Sequence, residues 1–193
     1  MTATEIHPEL VRRAQQGDRE SLRALVEAAY PKVRRWALVR TGDPTEADDL
    51  TQDVMIQMIR RLDGFQGSAR FDTWLYSVTR NAATDRGRAN TRRVRILQDP
   101  RAVETLTPGA PLRPDEGIGS NDVAARVHTV FRELPLRQRE VFDLVELQGL
   151  TSLEAAERLG IEAVSVRAHL FRARRALRAR ILEAQPHLVE EAP

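Results

Sequence analysis

Apolar residues recur at helical spacing along almost the whole chain, and they almost nowhere alternate as they would in a β-strand. One such row repeats every four residues and consists of Leu50, Val54, Met58 and Leu62. A strand face has a period of two residues, whereas a helix face has a period near 3.6. The sequence therefore predicts an all-α fold with no sheet.

One segment breaks the helical pattern. Residues 96–122 contain four of the ten prolines and three of the ten glycines, and they have no sustained apolar period. This composition is typical of a flexible linker. It divides the chain into two small helical domains, residues 1–95 and 123–182, and an acidic tail follows at residues 183–193.

Capping residues mark the expected helix ends. Asp18 is a suitable N-cap, Pro31 predicts the start of a further helix, and Gly42 predicts its end. The run from Asp43 to Glu46 combines an acidic N-cap, proline at the first helical position and a glutamate that can close a capping box. Residues 151–154 (TSLE) form a second capping box.

The composition excludes several classes of site. The chain has no cysteine, so disulfides, thiolate catalysis and Cys-ligated zinc are excluded, and its four histidines are scattered without metal-ligand spacing. We therefore expect no metal and no cofactor. No apolar run approaches the roughly 18 residues that a membrane span needs, and the N-terminus lacks the apolar core of a signal peptide. A cytoplasmic protein without membrane insertion is the expectation.

The charges are unevenly distributed along the chain. Residues 43–63 carry a net charge of −4, and residues 64–95 carry +5. A second basic block at residues 161–182 also carries +5, from six arginines against Glu162. Basic blocks beside acidic ones indicate two anion-binding surfaces next to surfaces for another partner. Solvated helix faces are the alternative interpretation.

The second basic block follows a recognisable arrangement. A short capped helix at residues 151–159 is followed by a turn at Gly160 and then by a longer basic helix. This order is typical of a helix-turn-helix, in which the second helix enters the major groove of DNA.

Two stretches of the chain together resemble the extracytoplasmic-function (ECF) sigma factors of bacterial RNA polymerase. Residues 42–88, GDPTEADDLTQDVMIQMIRRLDGFQGSARFDTWLYSVTRNAATDRGR, are similar to sigma domain two. Residues 133–177, ELPLRQREVFDLVELQGLTSLEAAERLGIEAVSVRAHLFRARRAL, are similar to sigma domain four. The resemblance implies a factor that performs no covalent chemistry, binds core RNA polymerase and directs promoter-specific initiation of transcription.

The resemblance gives the acidic residues near Asp49 a role. Asp48, Asp49, Gln52 and Asp53 lie where the family contacts the clamp helices of the largest polymerase subunit. A fixed acidic face suits a basic helix on a partner. The same DDxxxD spacing fits the magnesium ligands of an enzyme, and a merely solvated face is a third interpretation. Domain four is expected to contact the flap of the polymerase.

The following segment joins aromatic and basic residues, which suits single-stranded DNA because bases stack on rings and guanidinium groups hold phosphates. By resemblance, the turn at residues 63–68 pockets a base of the minus-ten element, and the next helix contacts the rest of that element. The expected contacts are Phe65, Gln66, Ser68, Asn81, Thr84, Asp85, Arg86 and Arg88. The helical spacing of Phe71 and Trp74 favours a core position for both.

The last helix is expected to read the minus-thirty-five element of the promoter. Its candidate DNA contacts are Ser165, Arg167, Ala168, Phe171, Arg172, Arg174 and Arg175. Arginine can bind guanine with two hydrogen bonds or hold phosphates. The resemblance also implies an anti-sigma factor as a partner. A free-standing helix-turn-helix regulator that acts without polymerase is the alternative function, and it differs in binding promoters tightly without core enzyme.

Overall fold

The computed structural model describes residues 5–97 and 129–184. These two ranges contain no strand, which confirms the all-α fold. Their helices include α1 (Pro8–Gln15), α2 (Arg19–Thr41), α3 (Pro44–Arg61), α4 (Phe71–Leu97), α5 (Leu136–Phe142), α6 (Ser152–Leu159) and α7 (Ala163–Ala184). Residues 129–133 are also helical. Helix α4 extends to Leu97 and α7 to Ala184, so the first two residues of the predicted linker, 96–122, and of the predicted tail, 183–193, are helical. The rest of the linker and of the tail, and residues 123–128 of the predicted second domain, lie outside the described residues.

Helix α2 begins and ends where the sequence predicts. The carboxylate of Asp18 accepts a hydrogen bond from the Glu20 N–H, and Gly42 ends the helix with a left-handed φ of 72°. The prediction that Pro31 starts a new helix is wrong, because α2 continues through it. Proline removes one backbone hydrogen bond, and the burial of Ala29 and Val33 on either side offsets that loss.

The two predicted capping boxes differ in completeness. At the start of α6, Thr151 and Glu154 exchange both bonds of the box, as predicted. At the start of α3, Asp43 accepts from the Glu46 N–H at 2.9 Å, but the N–H of Asp43 donates to the hydroxyl of Thr41. The second half of that box is therefore supplied by the preceding helix and not by Glu46.

The two halves of the chain pack against each other through one apolar core. Helix α2 contributes Trp36, helix α4 contributes Leu75, and Leu144 and Leu159 enter the same core from the second half. Helix α5 packs on α2, and α6 packs on α4. A flexible linker by itself does not predict this closed arrangement, because it permits many relative positions of two domains.

Between α5 and α6 the chain makes a π-helical turn at Asp143–Leu147, which Gln148 caps and Gly149 follows with a φ of 74°. A short 3-10 turn, Leu62–Gly64, follows α3 and opens the loop that leads to α4. Helices α6 and α7 are joined by Gly160, whose φ of 65° permits the tight turn of the helix-turn-helix. These turns fix the directions of α4 and α7, the two helices that carry the basic blocks.

Candidate functional site

The acidic residues of α3 lie at its surface. We use the name acidic face for Asp48, Asp49, Gln52 and Asp53, of which the last three are exposed. Asp48 is half-buried and accepts a hydrogen bond from Arg34 Nε of α2 at 2.7 Å. Within residues 5–97 and 129–184, no three His, Asp or Glu side chains are grouped closely enough to hold a metal ion.

Arg86 of α4 bridges two residues of the acidic face. Its guanidinium lies 2.7 Å from a carboxylate oxygen of Asp53 and 3.4 Å from one of Asp49. The sequence indicates Arg86 as a DNA contact and the two aspartates as polymerase contacts. The structure brings these three candidates together, so each has an ion-pair partner within the chain.

The loop before α4 has one buried side and one exposed side. The Phe65 ring packs against Phe71 and Trp74, with centroids 5.2 Å and 5.4 Å away. Gln66 and Ser68 are exposed. Gln15 of α1 donates from Nε2 to the carbonyl oxygens of Leu62 and Phe65, at 2.9 Å and 2.8 Å. Sequence reasoning missed Gln15, because a single glutamine at a helix end carries no signal of a distant loop.

The C-terminal half of α4 presents the remaining minus-ten candidates to solvent. The exposed residues are Asn81, Thr84, Asp85, Arg86 and Arg88. The Thr84 hydroxyl donates to the carbonyl oxygen of Arg80 at 2.9 Å, and Asp85 lies 4.0 Å from Arg88. Asn81 therefore stands on an open helix face, where its amide can present both a donor and an acceptor.

Helix α7 is divided into a buried and an exposed side. The buried side consists of Val166, Leu170, Ala173 and Leu177. Arg167, Phe171, Arg172 and Arg175 are exposed, whereas Ser165 and Ala168 are half-buried. Arg174 is also exposed, but its Nε donates to Glu146 at 3.0 Å. The structure thus places every predicted minus-thirty-five candidate on one helix and pairs one of them with the preceding turn.

A buried polar cluster joins the two halves, and sequence reasoning missed it. Glu140 of α5 has a side chain that is 2% exposed. Its carboxylate accepts from Tyr76 Oη of α4 at 2.9 Å, pairs with Arg40 of α2, and lies 3.2 Å from Arg137. Burial and the negative charge of Glu140 raise the pKa of Tyr76, so its hydroxyl keeps the donated proton. We call these four residues the Glu140 cluster.

A second ion pair lies beside the Glu140 cluster. Asp143 accepts from Arg35 Nε at 2.7 Å and also from the amide of Gln148. Burial raises the pKa of Asp143, although Arg35 and Gln148 oppose the shift. The π-helical turn places Asp143 against α2, and periodicity alone does not predict such a turn.

A third polar contact joins α6 to the first half. Asp72 at the start of α4 pairs with Lys32 of α2, and the guanidinium of Arg158 lies 3.9 Å from the same carboxylate. Arg158 also lies 5.8 Å from the centroid of the Trp36 ring. Burial lowers the pKa of Arg158. The closed arrangement therefore rests on polar contacts at both α5 and α6.

None of the helices in the described ranges is both long and apolar enough to cross a membrane. The exposed surfaces of α3, α4 and α7 carry charged residues instead.

Family models match both halves of the chain. Residues 25–93 match Sigma-70 region 2, and residues 124–177 match Sigma-70 region 4. The chain is 32% identical over 174 residues to the ECF RNA polymerase sigma-E factor of Escherichia coli K12, covering 87% of this chain and 90% of that protein. It is 31% identical over 189 residues to RNA polymerase sigma factor NccH of Alcaligenes xylosoxydans xylosoxydans, covering 96% and 100%.

Solved structures agree with these matches. CnrH in complex with the cytosolic domain of CnrY aligns with a TM-score of 0.63 at 25% identity, covering 91% of this chain and 96% of CnrH. The sigma factor RpoE of Bartonella quintana, in complex with the anti-sigma factor NepR, shares the fold with a TM-score of 0.63 at 22% identity, covering 86% and 99%. The chain therefore belongs to the ECF family of RNA polymerase sigma factors and is an alternative sigma factor that directs transcription.

Proposed function

We propose that the acidic face of α3 attaches this chain to core RNA polymerase. Asp49, Gln52 and Asp53 are exposed on one side of the helix, where they can meet a basic helix such as those of the clamp. Exposed ion pairs are worth at most about 1 kcal/mol each. A partner with several cations can therefore replace Arg86 at little cost.

The proposed DNA contacts lie on two other helices. Asn81, Arg86 and Arg88 of α4, with the loop residues Gln66 and Ser68, bind the minus-ten element. The exposed side of α7 enters the major groove at the minus-thirty-five element. The observation that carries this assignment is the division of α7 into a fully buried apolar side and an arginine-rich exposed side. No covalent chemistry is needed for this role.

Both promoter elements are reached only after the two halves separate. Elements about two turns of B-DNA apart are separated by roughly 70 Å. A compact body of the described size has a radius of gyration of about 15 Å, hence a diameter of about 40 Å. A flexible coil of about 27 residues, the length that the sequence predicts for the linker, would have a root-mean-square span of about 29 Å and a maximum reach of about 90 Å. We infer that polymerase holds the halves apart, with domain four on its flap.

An anti-sigma factor is the regulatory partner that we infer for this chain. CnrH, which is similar along 91% of this chain, forms a complex with the cytosolic domain of CnrY. A protein that covers the acidic face would compete directly with polymerase. Adding such a partner should therefore lower the affinity for core enzyme in proportion to its own occupancy.

Runoff transcription with core polymerase on the upstream region of the factor's own gene tests the proposal. The wild type should yield a specific product. Asp49→Arg with Asp53→Arg should abolish the product by weakening attachment to core, measured by pull-down, while weak DNA binding without core persists. A matched control, Glu20→Arg with Glu27→Arg, changes the net charge equally at exposed sites of α2 and should leave transcription intact.

Two results would refute the proposal. Tight, specific binding of both promoter elements by the chain without polymerase would favour the free-standing regulator. Retention of core enzyme by the double aspartate variant would remove the acidic face from the attachment site.

A further inference from the structure

Helix α7 carries an apolar ridge on the side that faces away from the core. Val164 is 62% exposed and Phe171 is 66% exposed, with the half-buried Ala168 between them. At about 100° per residue, positions i, i+4 and i+7 lie in one row. The buried residues Val166 and Leu170 lie on the opposite side of the helix.

The charges around this ridge indicate what it meets. Single exposed apolar residues are ordinary, but these are aligned and flanked by the exposed Arg167 and Arg172, with Arg175 extending the row. Arginines at the edges of a helix suit the phosphates on both sides of a groove. The apolar group that a base pair offers in the major groove is the C5-methyl of thymine, and valine and phenylalanine can contact it.

We propose that Val164 and Phe171 recognise thymine methyl groups in the minus-thirty-five element. This inference rests on the proposed entry of α7 into the major groove. Val164 is near the N-terminus of α7, which approaches the bases most closely in a helix-turn-helix. Seven residues of helix span about 10 Å, and base pairs are stacked about 3.4 Å apart. The two thymines are therefore at most about three base-pair steps apart, on either strand.

Replacing thymine by deoxyuridine removes the methyl group and keeps every hydrogen-bonding atom. The experiment is runoff transcription with core polymerase on promoters in which each thymine of the minus-thirty-five element is replaced singly. Two replacements, at most about three steps apart, should each lower the apparent affinity for the promoter about fourfold, the effect of one buried methyl group. The other replacements should have no effect.

Side-chain truncations connect each methyl group to its residue. Val164→Ala should remove the sensitivity to deoxyuridine at one position, and Phe171→Ala should remove it at the other. Both residues are exposed in the free chain, so the truncations leave the core unchanged. Leu153→Ala on α6, where the residue is 74% exposed, is the matched control and should keep both sensitivities.

The outcomes separate this inference from the proposed function. Specific transcription that is insensitive to deoxyuridine at every position would overturn the inference and leave the sigma-factor mechanism standing. If Val164→Ala and Phe171→Ala keep the full sensitivity to deoxyuridine, the inference is also overturned. The same holds if these variants lose only the binding of another protein and keep normal recognition of the promoter. Absence of any core-dependent product from the wild type would refute the proposed function itself.

Discussion

The Glu140 cluster should control the equilibrium between the closed and the open arrangement. In the closed form the Glu140 carboxylate is buried and pairs with Arg40, whose side chain is 10% exposed, and accepts from Tyr76. Arg40 and Tyr76 belong to the first half of the chain and Glu140 to the second half. Opening separates them and returns all three groups to water. We therefore expect Glu140→Gln to destabilise the closed form selectively.

The burial of the Glu140 ion pair determines how much Glu140→Gln should destabilise the closed form. Removing one partner of a buried ion pair costs about 3 to 5 kcal/mol. Glutamine still offers an acceptor to Tyr76, so the lower end applies, about 3 kcal/mol. Since 1.4 kcal/mol is a factor of ten, the ratio of closed to open molecules should fall about 100-fold. The domains themselves keep their cores and should unfold as in the wild type.

Energy transfer between two dyes measures this ratio. The chain contains no cysteine, so Arg60→Cys on α3 and Ala179→Cys on α7 provide unique labelling sites, both exposed. Glu140→Gln should lower the transfer efficiency toward that of separated domains. The matched control is Glu154→Gln, because Glu154 also bridges the two halves, to Arg70 at 3.4 Å, but in an exposed position.

Glu154→Gln should change the ratio of closed to open molecules by less than about fivefold, because an exposed salt bridge contributes at most about 1 kcal/mol. Glutamine retains the capping box of α6, so the helix remains intact. Unchanged transfer in Glu140→Gln would refute the reasoning. Loss of helicity in that variant would also refute it, because the cluster would then be required for folding of a domain and not for closure.

Three further predictions concern single residues. Arg86→Ala should raise the affinity for core polymerase about two- to fivefold in a binding titration, because it removes the cation that competes for Asp49 and Asp53, and a lower affinity would contradict this. Asn81→Ala should relax base preference at the minus-ten element, and an unchanged preference across a promoter library would exclude Asn81 from base reading. Burial raises the pKa of Asp143 in the closed form, so the closed form favours the protonated carboxyl group. This contribution to the stability of the closed form is complete at a pH below the ordinary carboxyl range, and it is lost as the pH rises through the raised pKa. Asp143→Asn should therefore match the wild type at acid pH and show more of the closed form at neutral pH, measured by energy transfer. It differs from Glu140→Gln because the Arg35 side chain is 41% exposed and stays hydrated without its partner, whereas Arg40 is 10% exposed. Less closed form at neutral pH would contradict this.

Local signals predict the helix ends because caps and turns depend on neighbours in sequence. Asp18, Gly42 and Gly160 act where they are expected, since an N-cap or a left-handed glycine needs only its own helix. Pro31 is the exception. Its effect on α2 is decided by packing against the core, which a local pattern does not contain.

The candidate site is likewise predicted only in the part that depends on neighbours in sequence. Periodicity identifies the exposed side of α7, because it follows from which residues are apolar. It does not say which helices become neighbours, so the pairing of Arg86 with the acidic face of α3 and the Glu140 cluster are missed. Both depend on contacts between residues more than 30 positions apart, and a charge pattern alone leaves the partner open.

Exposed and buried ion pairs of this chain should respond differently to salt. This difference distinguishes the opening of the two halves from their attachment to polymerase and DNA. Pairs such as Arg86 with Asp53 are exposed, so mobile ions screen them over a Debye length of about 8 Å at physiological ionic strength. In the Glu140 cluster the contacts of Glu140 with Arg40 and Tyr76 are buried, and salt screens them much less. The closed-to-open ratio of the free chain should therefore change little between low and high salt. The affinities of the acidic face for polymerase and of α7 for DNA should fall steeply over the same range, because those contacts are made at the surface.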